Sequence, residues 1–182
     1  MNSVANASET QCLLAELAEA CDRTLDLVGD LTPEQMMGPR LPIINPMLWD
    51  IGHGAWFLEF WVLRHYHQLP PILPGADALY NSAQVTHDTR WDLPLPSKDD
   101  TIRYKRAVLD RVTEVCGHAD SGPPCAEEYD ENYFLRLALF HDCMHAEALT
   151  YTRQTLAYSA PKLTSVENLS GSNRCEIPAL VV

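Results

Sequence analysis

Apolar residues recur with the 3.6-residue period of a helix in several stretches of this sequence, and no stretch carries a strand signal. The first helix is predicted at about residues 8–29, where Ser8 and Gln11 fit a capping box and Gly29 fits the helix end. The apolar stripe of this helix consists of Leu14, Leu17, Cys21, Leu25 and Val28.

Two proline positions mark the next helix starts. A short extra turn is predicted after Thr32, a capping residue followed by Pro33. The second long helix is predicted to begin at Asn45 and Pro46, as cap and first residue, and to end near His67. It is apolar nearly all round, which is typical of a helix that is buried on most sides.

The rest of the pattern completes a helical bundle. The third long helix is predicted to begin at Ser97, and the fourth covers about residues 130–158. Between the second and third helices, residues 69–97 contain five prolines and no clear periodicity. A loop of this length in a compact domain is usually functional or packed as a lid. We therefore predict an all-α protein, a four-helix bundle with a long proline-rich crossover loop between helices 2 and 3.

Composition narrows the class of protein. A chain of 182 residues with 46% hydrophobic residues is long enough for one domain with a sizeable core. The net charge of −12 argues against nucleic-acid binding, which needs clustered lysine and arginine. Neither a secretory signal nor an apolar run of about 18 residues is visible, so we expect no membrane span. The six cysteines form no CxxC pair, and we expect free thiols in a cytoplasmic protein.

The segment HDCMH places two histidines four residues apart within the fourth predicted helix, and so on one face. His141 and His145 share a predicted inward stripe that runs from Phe134 to Thr152. A single inward histidine is most often a hydrogen-bonded core residue. Two on one face favour a site more strongly, because each buried imidazole needs its own set of partners.

A third inward histidine, His53, lies on the second predicted helix between Gly52 and Gly54. Glycine inside a helix costs about 1 kcal/mol relative to alanine. The pair therefore indicates either a close approach of some group to the backbone or tight packing between helices. Three inward histidines from two helices can form a facial three-nitrogen site that suits Zn(II) or Fe(II), and core histidines remain the alternative.

Other polar residues of this region are expected to lie off the site. Glu147 and Asp142 fall outside the histidine stripe, and Cys143 points away from the histidines. Solvent is the default surrounding for Glu147, which could instead hold a neighbouring helix. The remaining histidines are expected at the surface; they are His65, His67, His87 and His118. The sequence contains no serine-histidine-aspartate order, phosphate-binding loop or glycine-rich dinucleotide turn.

Two segments together, NPMLWDIGHGAWFLEFWVLR and FHDCMHAEAL, resemble the N-terminal DinB-like domain of the ergothioneine-forming sulfoxide synthases, and more closely the related selenoneine synthases. Those enzymes carry a Pro-x-x-Trp-x-x-x-His-x-x-Trp-Phe helix and a later His-x-x-x-His-x-Glu helix. The resemblance spans roughly residues 10–160. The matching positions here are Pro46, Trp49, His53, Trp56, Phe57, His141, His145 and Glu147.

The resemblance implies a function. In that family the three matching histidines bind non-haem Fe(II), and the enzyme uses O₂ to join a thiol or selenol to the imidazole carbon of hercynine. His53, His141 and His145 would then be the iron ligands, with Zn(II) or another divalent metal as the alternative. Family members grip the thiol substrate with arginines from the long loop, and Arg90, the only arginine of that loop here, is the candidate for this role. Asp50 stands where sulfoxide synthases have histidine and could accept a hydrogen bond from a ligand imidazole.

The resemblance also implies a missing part. In the family, a C-terminal domain related to formylglycine-generating enzymes supplies most of the hercynine pocket and the catalytic tyrosine. We expect residues 1–160 to form the metal-binding bundle and residues 161–182 to be an irregular tail or the start of that domain. No catalytic residue is assigned, and the chain alone is expected to be inactive. The alternatives are a stand-alone DinB-like divalent-metal protein, such as a thiol-dependent transferase, and a non-catalytic bundle. The choice between sulfur and selenium and the oligomeric state stay open.

Overall fold

The computed structural model describes residues 2–117 and 129–164, with side chains from residue 9 onward. Four long helices form most of this part of the chain. The described part contains no strand. The long helices are α1 (Asn2–Val28), α3 (Met47–Leu58), α5 (Lys98–Cys116) and α6 (Glu131–Thr155). The short elements are α2 (Pro33–Met37), a π-helix (Glu59–Tyr66) that continues α3, α4 (Ala76–Tyr80) and a 3-10 turn (His87–Thr89).

The long helices pack as a bundle around an apolar core. α1 contacts α5 and α6, and α3 contacts the same two helices, so α1 and α3 occupy opposite corners. Leu135 and Leu149 of α6, Val108 and Val112 of α5 and Val62 of the π-helix are fully buried in this core. The prediction of an all-α bundle is confirmed.

Four predicted helix starts can be compared with the structure. The predicted cap at Thr32 is present, as part of a capping box, and Ser97, the predicted start of the third long helix, is the capping residue of α5. The predicted cap at Ser8 is wrong, because α1 already begins at Asn2 and no glycine or proline interrupts the chain between these positions. Pro46, rather than Asn45, is the capping residue of α3. The amide of Asn45 instead donates a 2.8 Å hydrogen bond to Asp50 Oδ1.

The second predicted helix changes its winding at Glu59. The π-helix is accompanied by a buried carboxyl group, since the Glu59 side chain is fully buried. It accepts hydrogen bonds from the hydroxyl of Tyr104 (2.5 Å) and from the backbone N–H of Ile72 (3.0 Å). Burial raises the pKa of Glu59 above its usual range. The π-helical turn therefore joins α3 to both α5 and the beginning of the crossover loop.

The crossover loop, residues 69–97, contains α4, which is anchored to α3 and its π-helical continuation. Trp49 Nε1 donates to the carbonyl of Leu79 (2.8 Å), and Trp56 Nε1 donates to Asp77 Oδ1 (2.7 Å). The guanidinium of Arg64 donates to both carboxylate oxygens of Asp77, at 2.6 and 2.8 Å. Whether the loop acts as a lid stays a prediction.

Some expectations fall outside what the structure describes. His118 falls in residues 118–128, which lie outside the described ranges. Residues 165–182, which make up most of the predicted tail, also lie outside them. The proposed domain boundary near residue 160 stays a prediction. Among the described helices, none is both long enough and apolar enough to cross a membrane.

Candidate metal centre

Three histidines from two helices converge in the middle of the bundle. One ring nitrogen from each of His53, His141 and His145 lies within 4.8 Å of the others, and we call this group the central triad. The ring centroids are 4.9 Å apart for His53–His141, 5.1 Å for His53–His145 and 4.6 Å for His141–His145. The structure thus brings together the three histidines that the sequence singled out.

The ring of His53 is fixed on both faces and at one edge. It stacks on Trp49 and Trp56, with centroid distances of 4.6 and 5.7 Å. Its Nδ1 lies 2.8 Å from the carbonyl oxygen of Tyr80, which can only accept, so Nδ1 carries the proton. That tautomer leaves Nε2 as the nitrogen with a free lone pair. A ligand histidine is usually oriented by such a bond from its other nitrogen.

The other two imidazoles have buried nitrogens without partners. The ring of His141 stacks on Phe57 at 3.7 Å, nearly parallel. The Nδ1 atoms of His141 and His145 are buried and have no hydrogen-bond partner among the described residues. A buried polar atom without a partner is costly and needs an explanation. A divalent cation in the triad fits this donor set, since neutral imidazole is a common metal ligand.

Burial also sets the protonation of the central triad. Burial is the largest cause that lowers the pKa of His53 to about 4, and the neighbouring His145 adds to it. Burial likewise lowers the pKa of His141 to about 2, assisted by His145 and His53. These two imidazoles are therefore neutral at pH 7, which is the form that binds metal.

The two glycines around His53 have separate physical reasons. A Cβ atom on Gly52 would lie 2.4 Å from the ring of Tyr80, closer than such contacts allow. A Cβ on Gly54 would lie 3.0 Å from Asp142 Oδ1. Of the two readings of this pair, the structure favours tight packing, with Gly52 making room for the residue whose carbonyl holds His53.

Asp142, which the sequence placed off the predicted inward stripe, is buried. Asp142 is only 6% exposed, and its carboxylate accepts a 2.6 Å hydrogen bond from Lys105 Nζ, itself buried on α5. The centre of the buried stripe on α6 passes through Leu135, Asp142 and Leu149, so the histidines lie along one side of it. The predicted stripe was displaced because charged residues were assumed to be exposed. A buried lysine and aspartate that pair with each other escape that assumption.

A chain of contacts links the crossover loop to the central triad. Arg90 Nη1 donates to Asn45 Oδ1 (2.6 Å), and Asn45 in turn donates to Asp50. Asp50 Oδ1 lies 3.3 Å from His145 Nδ1, without the alignment of a hydrogen bond. The guanidinium of Arg90 lies 3.8 Å from the ring centroid of Trp49. Asp50 and Arg90 therefore lie beside the triad, and their roles stay proposals.

The expectation that His67 lies at the surface is also wrong. His67 is 8% exposed, and its Nε2 lies 2.8 Å from Glu131 Oε1 and 3.6 Å from Cys116 Sγ. We call these three residues the end cluster. The sequence contains no spacing that links them, because each belongs to a different element. His65 is partly buried, and the ring of His87 bonds to the carbonyl of Ile44.

Glu147 and Cys143, on the same helix as two of the triad histidines, lie off the triad as expected. Glu147 is exposed. Cys143 is a partly buried free thiol, and burial raises its pKa, which disfavours the reactive thiolate.

The fold and the site define an all-α bundle with a three-imidazole centre, and known proteins can be compared on that basis. The hercynine oxygenase of Mycolicibacterium smegmatis is 28% identical over 141 residues, covering 76% of this chain and 31% of that protein. The hercynine oxygenase of Mycolicibacterium thermoresistibile is 30% identical over 115 residues, covering 60% of this chain and 26% of its own length. That of Mycobacterium tuberculosis is 27% identical over 143 residues, 75% of this chain and 31% of the relative.

These matches indicate a distant relationship. No protein-family model matches the chain. The chain spans less than a third of the length of the curated relatives it matches. The chain is therefore homologous, at 27–30% identity, to part of the hercynine oxygenases.

Proposed function

We propose that this chain is the iron-binding domain of an O₂-dependent enzyme that forms a carbon–sulfur or carbon–selenium bond on hercynine. The proposal combines the similarity to hercynine oxygenases with the resemblance of the two histidine-bearing helices to ergothioneine and selenoneine synthases. It extends the activity of longer proteins to a chain that spans less than a third of their length.

One observation carries the proposal: three imidazoles converge, and two of them have a buried nitrogen without a hydrogen-bond partner among the described residues. In an ordinary core each buried imidazole nitrogen has a hydrogen-bond partner. His141 Nδ1 and His145 Nδ1 have none among the described residues. A facial set of three histidines suits Fe(II) and leaves positions open for other ligands.

The residues around the central triad support such a site in distinct ways. His53, His141 and His145 would hold the metal; Fe(II) supplies the redox chemistry with O₂ when bound. The Tyr80 carbonyl orients His53, and Trp49 with Trp56 keeps water away from its faces. Asp50 would orient His145 once the two groups align.

Arg90 is proposed to bind the carboxylate of the thiol or selenol substrate. Its Nε is buried without a partner among the described residues, so the guanidinium still has a hydrogen-bond donor to offer. In the complete enzyme, Arg90→Lys should raise the KM for the thiol or selenol substrate more than the KM for hercynine. Lysine keeps the charge but loses the two-pronged geometry. An equal change in both KM values would remove Arg90 from this role.

Metal analysis of anaerobically purified protein tests the centre directly. We expect near-stoichiometric iron after loading with Fe(II). Single replacement of His53, His141 or His145 by alanine should reduce affinity by more than about 100-fold, since changes in outer groups alone reduce it 10–100-fold. His65→Gln, on the same continuous helix as His53, is the matched control and should keep full loading. Full metal content in all three alanine variants would contradict the proposal.

Activity separates the proposed function from its alternatives. The chain alone, with hercynine, O₂ and a thiol or selenol, should form no product, because the proposal assigns the remaining pocket to another domain. Supplying that domain, fused or in trans, should restore product formation. Metal binding with thiol-dependent transferase activity would favour a stand-alone enzyme. Absence of metal binding would favour a non-catalytic bundle.

A further inference from the structure

The end cluster gathers metal-ligand side chains from three separate helix ends. His67 directly follows the π-helix, Cys116 is the last residue of α5 and Glu131 is the first residue of α6. Their potential ligand atoms lie within 4.8 Å of one another. His67 is separated from His53 of the central triad by about 20 Å of helix, at ~1.5 Å per residue. The two groups are therefore distinct sites.

The distances within the end cluster are close to those of a tetrahedral zinc site. With Zn–S near 2.3 Å and Zn–N near 2.05 Å, a tetrahedral angle places sulfur and nitrogen about 3.6 Å apart. Cys116 Sγ and His67 Nε2 are 3.6 Å apart. The corresponding nitrogen–oxygen separation is about 3.3 Å, against 2.8 Å between His67 Nε2 and Glu131 Oε1. A movement of the Glu131 carboxylate by roughly 0.5 Å reaches the zinc geometry.

The same contacts argue against a nucleophilic cysteine. Cys116 is 4% exposed, and burial together with the Glu131 carboxylate raises the pKa of its thiol. A cysteine nucleophile needs the opposite shift. In addition, Cys116 and Glu131 approach the same nitrogen of His67, so the carboxylate does not orient the imidazole through its other nitrogen. Two potential anions around one imidazole nitrogen match a bound dication better.

We propose that His67, Cys116 and Glu131 form a second metal site, which binds a divalent cation of the Zn(II) type and joins the ends of three helices. The thiol and imidazole select a borderline-soft ion, and the carboxylate completes three ligands of a tetrahedral set. Binding replaces the thiol proton of Cys116, which leaves to solvent. The role is structural, since the site fastens the π-helix, α5 and α6 to one another.

Cobalt(II), added to the full 182-residue chain after chelator treatment, is the probe for this site. The central triad contains no sulfur, so a thiolate-to-cobalt charge-transfer band in the near ultraviolet reports cobalt bound through a cysteine, and the cysteine variants assign the band to the end cluster. We expect the band in the wild type and in Cys21→Ser, a buried free cysteine outside the cluster. Cys116→Ser should lack the band. The test is independent of the proposed function, because the band does not require a working central triad.

Glu131→Gln keeps the shape of the cluster and serves as a second variant. It should retain the band but bind cobalt at least tenfold more weakly, as judged by competition with a chelator. If Cys116→Ser does not fold by circular dichroism, an unchanged affinity in Glu131→Gln overturns the proposal. Absence of the band in the wild type once cobalt exceeds two equivalents, enough for both sites, or its persistence in folded Cys116→Ser, also overturns the proposal.

Discussion

The central triad and the end cluster each bring three donor side chains within 4.8 Å, but their polar atoms differ in what they bind. In the end cluster the imidazole of His67 already pairs with a carboxylate and a thiol. In the central triad two imidazole nitrogens have no partner among the described residues. The end cluster can therefore stabilise the bundle without metal, whereas the central triad is held in place by its surroundings at a cost in stability.

The largest effect on stability is expected from Gly52→Ala, which disturbs the packing around the central triad. Alanine in a helix interior normally gains about 1 kcal/mol over glycine. Here the new Cβ would lie 2.4 Å from the fully buried ring of Tyr80. We expect a net loss of about 3 kcal/mol in the free energy of unfolding, measured by urea denaturation. Gly54→Ala, with a Cβ contact at 3.0 Å, is the control and should lose less. A gain in the free energy of unfolding for Gly52→Ala would contradict this, because it would mean that the Tyr80 ring shifts away from the new methyl group at no cost.

A second test addresses the end cluster in metal-free protein. His67→Leu removes the imidazole that contacts both Cys116 and Glu131, and it fills the space with an apolar side chain. We expect a loss of about 2 kcal/mol in chelator, because a buried polar group loses its hydrogen bond. An unchanged unfolding midpoint would mean that the end cluster contributes no stability without metal, contrary to the comparison.

The matching change in the central triad should have the opposite sign. His141→Phe removes a partnerless buried nitrogen and keeps an aromatic ring against Phe57. We expect the metal-free protein to gain about 1 kcal/mol in the free energy of unfolding. The same variant should lose metal binding at the triad. A loss of stability in chelator would remove the distinction between the two groups.

The smallest effect concerns the anchoring of α4, whose last residue, Tyr80, orients His53. The Arg64 guanidinium, followed by the Trp56 indole, lowers the pKa of Asp77 from 3.8 to about 2. The folded state thus binds fewer protons than the unfolded state between these values. This stabilisation is present above about pH 4 and is lost as the pH falls through about 2.

Asp77→Asn tests that anchoring through its pH dependence. The variant should be less stable than the wild type at pH 7, and the difference should shrink as the pH falls from about 4 to about 2. The effect is small because the Asp77 side chain is 46% exposed. Urea denaturation at several pH values provides the measurement, and a difference that stays constant with pH would assign the loss to packing alone.

The periodic features of the chain could be predicted from sequence, and the features made by tertiary contact could not. Apolar spacing and capping residues such as Thr32 predicted the helices of the bundle, because both act within one turn of helix. Spacing also predicted that His53 and the HDCMH pair point into the bundle, with core histidines as the alternative to a shared site, and the structure brings the three together. The ion pair of Lys105 and Asp142 was missed. Each charge alone argues for exposure, and only the fold brings the two together.

The end cluster was missed for the same reason. His67, Cys116 and Glu131 are far apart in the sequence and share no motif. Each lies at the end of a helix, where sequence patterns are least informative about neighbours. One signal could have been used: His67 lies at the end of a helix that is apolar nearly all round. Such a helix is buried on most sides, so a histidine at its end should be expected to be buried too.

The aromatic rings around His53 also make the central triad optically observable. Trp49 and Trp56, two of the four tryptophans, stack on its imidazole at 4.6 and 5.7 Å. Indole fluorescence is quenched by an open-shell ion at such short range, but far less by closed-shell Zn(II). Binding of Fe(II) or Co(II) to the triad should therefore darken the intrinsic emission of the protein, while Zn(II) leaves it bright. A fluorescence titration thus follows the filling of the triad without any added dye.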